Sequence, residues 1–176
     1  FNMENGPTAD IKVRKALQMA VDRDAMCAAL YQYGECSPAY LPLPPASWGY
    51  DESLEDLVPK YDVEGAKKLL AEAGYPEGFE LEYYTSDSAS SKKIGEILQQ
   101  FCAKVNVKVN IHQASWGTFS EIGASGNADA IGMSWTWFPD PYFYLNKMFH
   151  EESLGTLGNG QQFNIPEVNE LLDKAV

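Results

Sequence analysis

Between Phe79 and Ala130 the chain switches hydrophobic period from two to helical and back, twice, and this succession constrains its fold more than any other feature. Phe79-Glu80-Leu81-Glu82-Tyr83-Tyr84 alternates and then turns apolar, the pattern of a strand with one wetter face. Ile94, Ile97, Leu98, Phe101, Cys102 and Val105 keep a helical period, so a helix must be buried along that stripe. Val105 to His112 alternates strictly, a second strand with Val105, Val107, Val109 and Ile111 towards a core. Ser115 can cap a short helix carrying Trp116, Phe119 and Ile122, and a Gly-Asn turn returns the chain to a third strand at Ala130. Strand, helix, strand, helix, strand implies right-handed crossovers in one α/β layer.

The third strand, Ala130 to Met133, empties into a loop with Trp135, Trp137, Phe138 and Pro139-Asp140-Pro141, which cannot continue a ladder. In open α/β sheets ligands sit outside the carboxyl ends of the strands, so this loop is the first candidate for a site. The alternative for Trp135 and Trp137 is that they plug the core.

Before the first strand, Asp10, Asp22 and Asp62 are each placed to cap a helix. The first presents Val13, Leu17 and Ala20; the second runs from Arg23 to Tyr33 and stops at Gly34; the third turns Ala66, Leu69, Leu70 and Ala73 inward before Gly74. Five helix-breaking residues between Pro38 and Gly49 predict a long extended loop anchored by Tyr40, Leu41, Trp48 and Tyr50. After the aromatic loop, Pro141 can open a helix over Tyr142 to Phe149, and Pro166 opens the last.

With 176 residues, 45% of them hydrophobic, the chain suits one domain with a substantial core. Its net charge of -12 argues against a nucleic-acid or anionic-membrane surface, because binding phosphate needs clustered Lys and Arg. Cys27, Cys36 and Cys102 lack metal-type spacing, which argues against a zinc site. In an oxidising compartment one pair can bridge, and the sequence does not choose which. No run reaches the length of a membrane span. A first residue Phe1 and a last helix cut in mid-pattern suggest an excised piece of a longer protein.

Catalytic signatures are missing. The two histidines, His112 and His150, sit at the ends of a strand and a helix with no nucleophile motif nearby, and both read as structural. Asp140 has no carboxylate partner at a defined separation, and Gly123-Ala124-Ser125-Gly126 follows a helix rather than a strand, the wrong order for a phosphate cradle.

Taken together, these segments resemble the large extracellular solute-binding proteins of ABC importers, which include oligopeptide-, dipeptide- and nickel-binding members. Asp10-Ile11-Lys12-Val13-Arg14-Lys15-Ala16-Leu17 with Ala20-Val21-Asp22-Arg23 looks like that family's first helix pair. Pro42-Leu43-Pro44-Pro45 is similar to its proline loop, the stretch from Asp62 to Gly74-Tyr75-Pro76 to its Glu-Ala-Gly helix, and Trp135 with Pro139-Asp140-Pro141 to its Trp…Asp-Pro loop; Pro166-Glu167-Val168 continues the pattern.

The resemblance implies a periplasmic-binding-protein-like (type II) lobe, a mixed sheet flanked by helices. Residues 1 to 176 would form a single lobe, most of the C-terminal lobe of a two-lobed clamp. It also implies a bacterial protein outside the cytoplasm, periplasmic or a surface lipoprotein, that captures a solute without catalysis or cofactor. The partners implied are a peptide and an ABC permease, with the binding protein itself a monomer. Trp116 and Trp135 match wall positions of the peptide-binding relatives, and Trp137 and Phe138 stand where those relatives carry the acid that pairs with a peptide amine. Asp140 is the substitute acid, or else a residue that shapes the loop. Gly123 stands where some relatives place an arginine for the carboxylate. Losing both end anchors leaves an aromatic wall that also suits oligosaccharides, with a nickel chelate or a sensor role as further alternatives.

Overall fold

The computed structural model describes residues 1–31, 33–34, 36–136 and 140–175. Seven α-helices and three strands are present among them: α1 (Ile11–Ala20), α2 (Arg23–Leu30), α3 (Val63–Glu72), β1 (Phe79–Ser86), α4 (Ala89–Ala103), β2 (Val107–Ala114), α5 (Trp116–Ser125), β3 (Ala130–Gly132), α6 (Pro141–Phe149) and α7 (Pro166–Lys174). Short 3-10 turns occupy Pro7–Ala9, Glu52–Leu57 and Glu151–Ser153.

Local chemistry starts the early helices where the sequence places them. The side chains of Asp10, Asp22 and Asp62 accept hydrogen bonds from the backbone N–H groups of Lys12, Ala25 and Gly65. Each satisfies a donor that the first turn of a helix leaves without a partner. α2 stops at Leu30, three residues short of the expected Tyr33. Its Cys27 is bridged to Cys36 with Cα atoms 5.5 Å apart, and a helix continued past Leu30 would carry Cys36 away. Cys102 remains as a free, buried thiol.

The strand order is β2-β1-β3, and both pairings are parallel. Among the described residues the sheet is therefore parallel rather than mixed, since each connection is a helix that returns the chain to the same end of the sheet. The junction between α4 and β2, where helical and alternating patterns overlap at Val105, resolves into a turn with Asn106 at φ 62°. Asparagine is one of the few residue types other than glycine that visit the left-handed region routinely.

One face of the sheet carries the core. Leu81, Tyr83, Val107, Val109 and Ala130 pack with Val13, Ala16, Leu17 and Ala20 of α1, Ala66 and Leu70 of α3, and Cys102 of α4. Gly95 lets α4 settle on this face, because a Cβ there would stand 3.1 Å from the ring of Tyr83 and 3.3 Å from Ile111. On the other face Ile131 lies against Gly123 of α5 and Gly160. Residues 1–9 are sewn to the start of β3: Asn2 donates from its side chain to the carbonyls of Gly126 and Ala128, and Thr8 Oγ1 donates to the carbonyl of Asp129.

The candidate solute site at the strand ends

β1 and β3 both run out at the same end of the sheet, and a cavity of about 580 Å³ opens there. Its floor is made by Thr85 and Ser86 at the end of β1 and by Gly132, Met133 and Ser134 at the end of β3. Thr85 Oγ1 donates to the carbonyl of Gly132 at 3.1 Å, tying the two strand ends together. A side chain at position 132 would collide with the Tyr83 hydroxyl, 1.7 Å from where its Cβ would stand, so glycine is required for the phenol to lie across this strand. Burial pushes the Tyr83 phenol above its usual range, partly opposed by a hydrogen bond with Thr85.

One wall is a cluster of hydroxyls at the start of α4. Ser88 Oγ accepts from the backbone N–H of Ser91 at 3.1 Å and donates to Ser91 Oγ at 2.8 Å, and Ser86 Oγ lies 2.9 Å from Ser91 Oγ. The facing wall is aromatic. Trp116, at the first position of α5, is 60% exposed, while Phe119 one turn on is 1% exposed, and their ring centroids are 5.8 Å apart. Phe119 therefore belongs to the core and fixes the ring of Trp116 at the rim. Ser115 precedes this helix but its hydroxyl donates to Thr118 Oγ1 rather than capping the backbone.

Among the described residues, the side chains lining this cavity are uncharged. It offers hydroxyl donors and acceptors opposite apolar rings, an arrangement suited to backbone amides or to other neutral polar groups.

A second cavity, of about 400 Å³, lies where the chain leaves β3 and enters α6. Trp135, Phe143 and Met148 supply apolar surface, and Asp140 and Lys147 the charge. The Asp140 side chain accepts from the N–H of Tyr142 at 2.9 Å and so caps α6. Five candidate residues are thus distributed rather than gathered: Trp116 lines the first cavity, Trp135 and Asp140 line the second, and Trp137 and Phe138 lie outside the described residues.

Neither histidine lines these cavities. His112 stacks on Tyr84, ring centroids 4.5 Å apart, and bonds Glu82 through Nε2. His150 is buried, and its Nδ1 accepts from the N–H of Glu152. The hydroxyl cluster was overlooked by sequence reasoning although a signal existed. Ser86, Ser88, Ser90 and Ser91 occupy the turn from a strand into a helix, the position where open α/β sheets bind ligands.

The family described as bacterial extracellular solute-binding proteins, family 5 (middle), matches residues 1–155. Heme-binding protein A of Haemophilus influenzae is 35% identical over all of this chain and 32% of its own length. The dipeptide-binding protein of Escherichia coli is 34% identical over 81% of the chain and 28% of its length. In three dimensions the chain is similar to the ABC transporter-associated periplasmic binding protein DppA from Helicobacter pylori, solved in complex with the peptide STSA: TM-score 0.90, 27% identity, 99% of this chain and 34% of that one. The chain thus spans about a third of the length of the proteins it matches.

Proposed function

The chain belongs to the family 5 bacterial extracellular solute-binding proteins, and from that premise we propose that it forms most of one lobe of a clamp that captures peptides outside the cytoplasmic membrane and delivers them to an ABC permease. Family members are extracytoplasmic binding proteins rather than enzymes, and the lobe has the type II periplasmic-binding-protein fold. Among the described residues no helix is long and apolar enough to cross a membrane.

The observation that carries the peptide reading is the cavity at the strand ends, whose described side chains are hydroxyl-bearing or apolar and carry no charge. Serine hydroxyls can exchange hydrogen bonds with peptide amides and carbonyls whatever the side chains, while Trp116 supplies a flat apolar surface at the rim. The likeness to a dipeptide-binding protein and to a peptide-bound structure supports the same class. On this reading the clamp acts as a monomer, and its other lobe supplies the opposing wall.

A second reading is favoured by the apolar walls of the α6 cavity together with the 35% identical heme-binding relative: a flat tetrapyrrole as the solute. One experiment separates the two. The full-length protein is titrated in a thermal-shift assay with di- to pentapeptides, haemin, oligosaccharides and nickel chelates, since a ligand of the native state raises Tm. A rise with peptides alone is the result expected. A rise with haemin alone, or with a sugar alone, overturns the peptide reading.

A further inference from the structure

We propose that the strand-end cavity is a subsite for one uncharged, apolar side chain of the bound peptide, and that Ile94 sets which side chains it admits; the proposal rests on the peptide reading above. The cavity changes character with depth along α4. Ser90 and Ser91 line it in the first turn of the helix, Ile94 one turn further on and Leu98 another, so all four share one face. Each turn advances ~5.4 Å, and over two of them hydroxyls give way to branched aliphatic carbon.

The neighbouring elements grade in the same direction. On β1 the lining passes from Ser86 to Tyr83, which is 4% exposed, and on α5 from Trp116 at the rim to the buried Phe119. On β3 it passes from Ser134 and Met133 to Ala130, which is 5% exposed. Tyr83 and Ala130 belong to the core and Leu98 packs against it, so the apolar end of the cavity is the edge of the core itself. Among the described residues no carboxylate, ammonium or guanidinium side chain lines this space.

This grading sorts the parts of a peptide. Main-chain amides and carbonyls find partners among the serine hydroxyls at the mouth. A side chain directed inward meets Ile94, Leu98 and Tyr83, where carbon gains by leaving water. A charged side chain loses its hydration at the same place and finds no counter-ion, so lysine and glutamate are rejected by what the cavity lacks. A volume of about 580 Å³ lies within the range of small-ligand sites.

Ile94 is where the choice is made. Leu98, Tyr83 and Phe119 are committed to the core or packed on it, whereas Ile94 is half-buried and stands between the serines and those residues. Gly95 beside it brings α4 close against Tyr83 and Ile111, which holds Ile94 at the cavity wall.

The test is calorimetric titration of the full-length protein with Leu-Ala-Ala, Ala-Leu-Ala and Ala-Ala-Leu, and with the peptides in which Lys, Glu or Phe replaces each leucine, in the wild type, Ile94→Asp and Ile94→Ala. At one of the three positions the wild type is expected to prefer Leu over both Lys and Glu by about tenfold or more. Ile94→Asp should invert that order, with Lys binding more tightly than Leu at this position and the other two unchanged. Ile94→Ala keeps the test decisive where Ile94→Asp does not fold: it should still reject Lys and Glu, and should favour Phe over Leu more than the wild type does. Equal affinity for Leu, Lys and Glu at all three positions overturns the subsite while leaving the peptide reading intact. A leucine preference that neither variant alters overturns the assignment to Ile94. Absence of binding by every peptide overturns the reading beneath the proposal.

Discussion

Asp129 Oδ2 accepts the backbone N–H of Glu82 at 2.9 Å, so the residue ahead of β3 prolongs with its side chain a pairing that β3 itself sustains for three residues. Its carbonyl accepts from Asn2 N at 2.8 Å and from Thr8 Oγ1 at 3.0 Å. Asp129→Ala removes a charged acceptor from a part-buried donor, and a loss of ~1.5–3 kcal/mol in unfolding free energy is expected. Urea denaturation of the two proteins checks it, with Asp129→Asn falling between them.

Trp116 and Phe119 separate binding from stability. Trp116 is 60% exposed, so Trp116→Ala should leave stability within ~0.5 kcal/mol while weakening solute binding about tenfold. Phe119 is 1% exposed, and Phe119→Ala should cost ~3–5 kcal/mol. Melting curves and ligand titrations on the same two variants give both answers. A strongly destabilised Trp116→Ala would place that ring in the core instead.

Glu82 accepts from Asn110 Nδ2 at 2.6 Å and bonds His112. These hydrogen bonds, that of Asn110 foremost, hold its carboxyl below the ordinary value of 4.5. The folded state therefore favours the ionised form. Its contribution is whole above the unfolded value and is lost as the pH falls below about 4.5 through the folded value. The site is half-exposed, so screening keeps the effect under ~1 kcal/mol. Urea midpoints between pH 3 and 7 should fall more steeply at the acid end for the wild type than for Glu82→Gln.

The bridge from Cys27 to Cys36 spans a sequence separation of 9. Closing a loop of that size restricts the unfolded chain by ~2.5 kcal/mol, so reduction should lower the melting temperature by several degrees. Burial pushes the remaining thiol, Cys102, up to about 12. A thiol reagent at pH 8 should find no reactive cysteine in the native protein and one after unfolding without reductant.

How much of this was legible depends on the range of the interaction concerned. The caps at Asp10, Asp22 and Asp62 are satisfied within three residues, so their residue types announced them. The buried faces of α4 and β2 were visible because Phe101, Cys102, Val107 and Val109 repeat with the periods of helix and strand. The disulfide pairing depends on where α2 ends, and the separation of Trp116 from Trp135 depends on how α5 and α6 flank two different cavities. Neither has a local signal.

The segment between Gly132 and Asp140 is pinned at both ends by bonds that ignore its composition: Thr85 holds the carbonyl of Gly132, and Asp140 fixes the first turn of α6. Strand register and helix start are thus each fixed by a bond whose acceptor and donor lie at or beyond the two boundaries, so the proposed role of this loop in choosing a solute would leave the framework on either side of it unchanged.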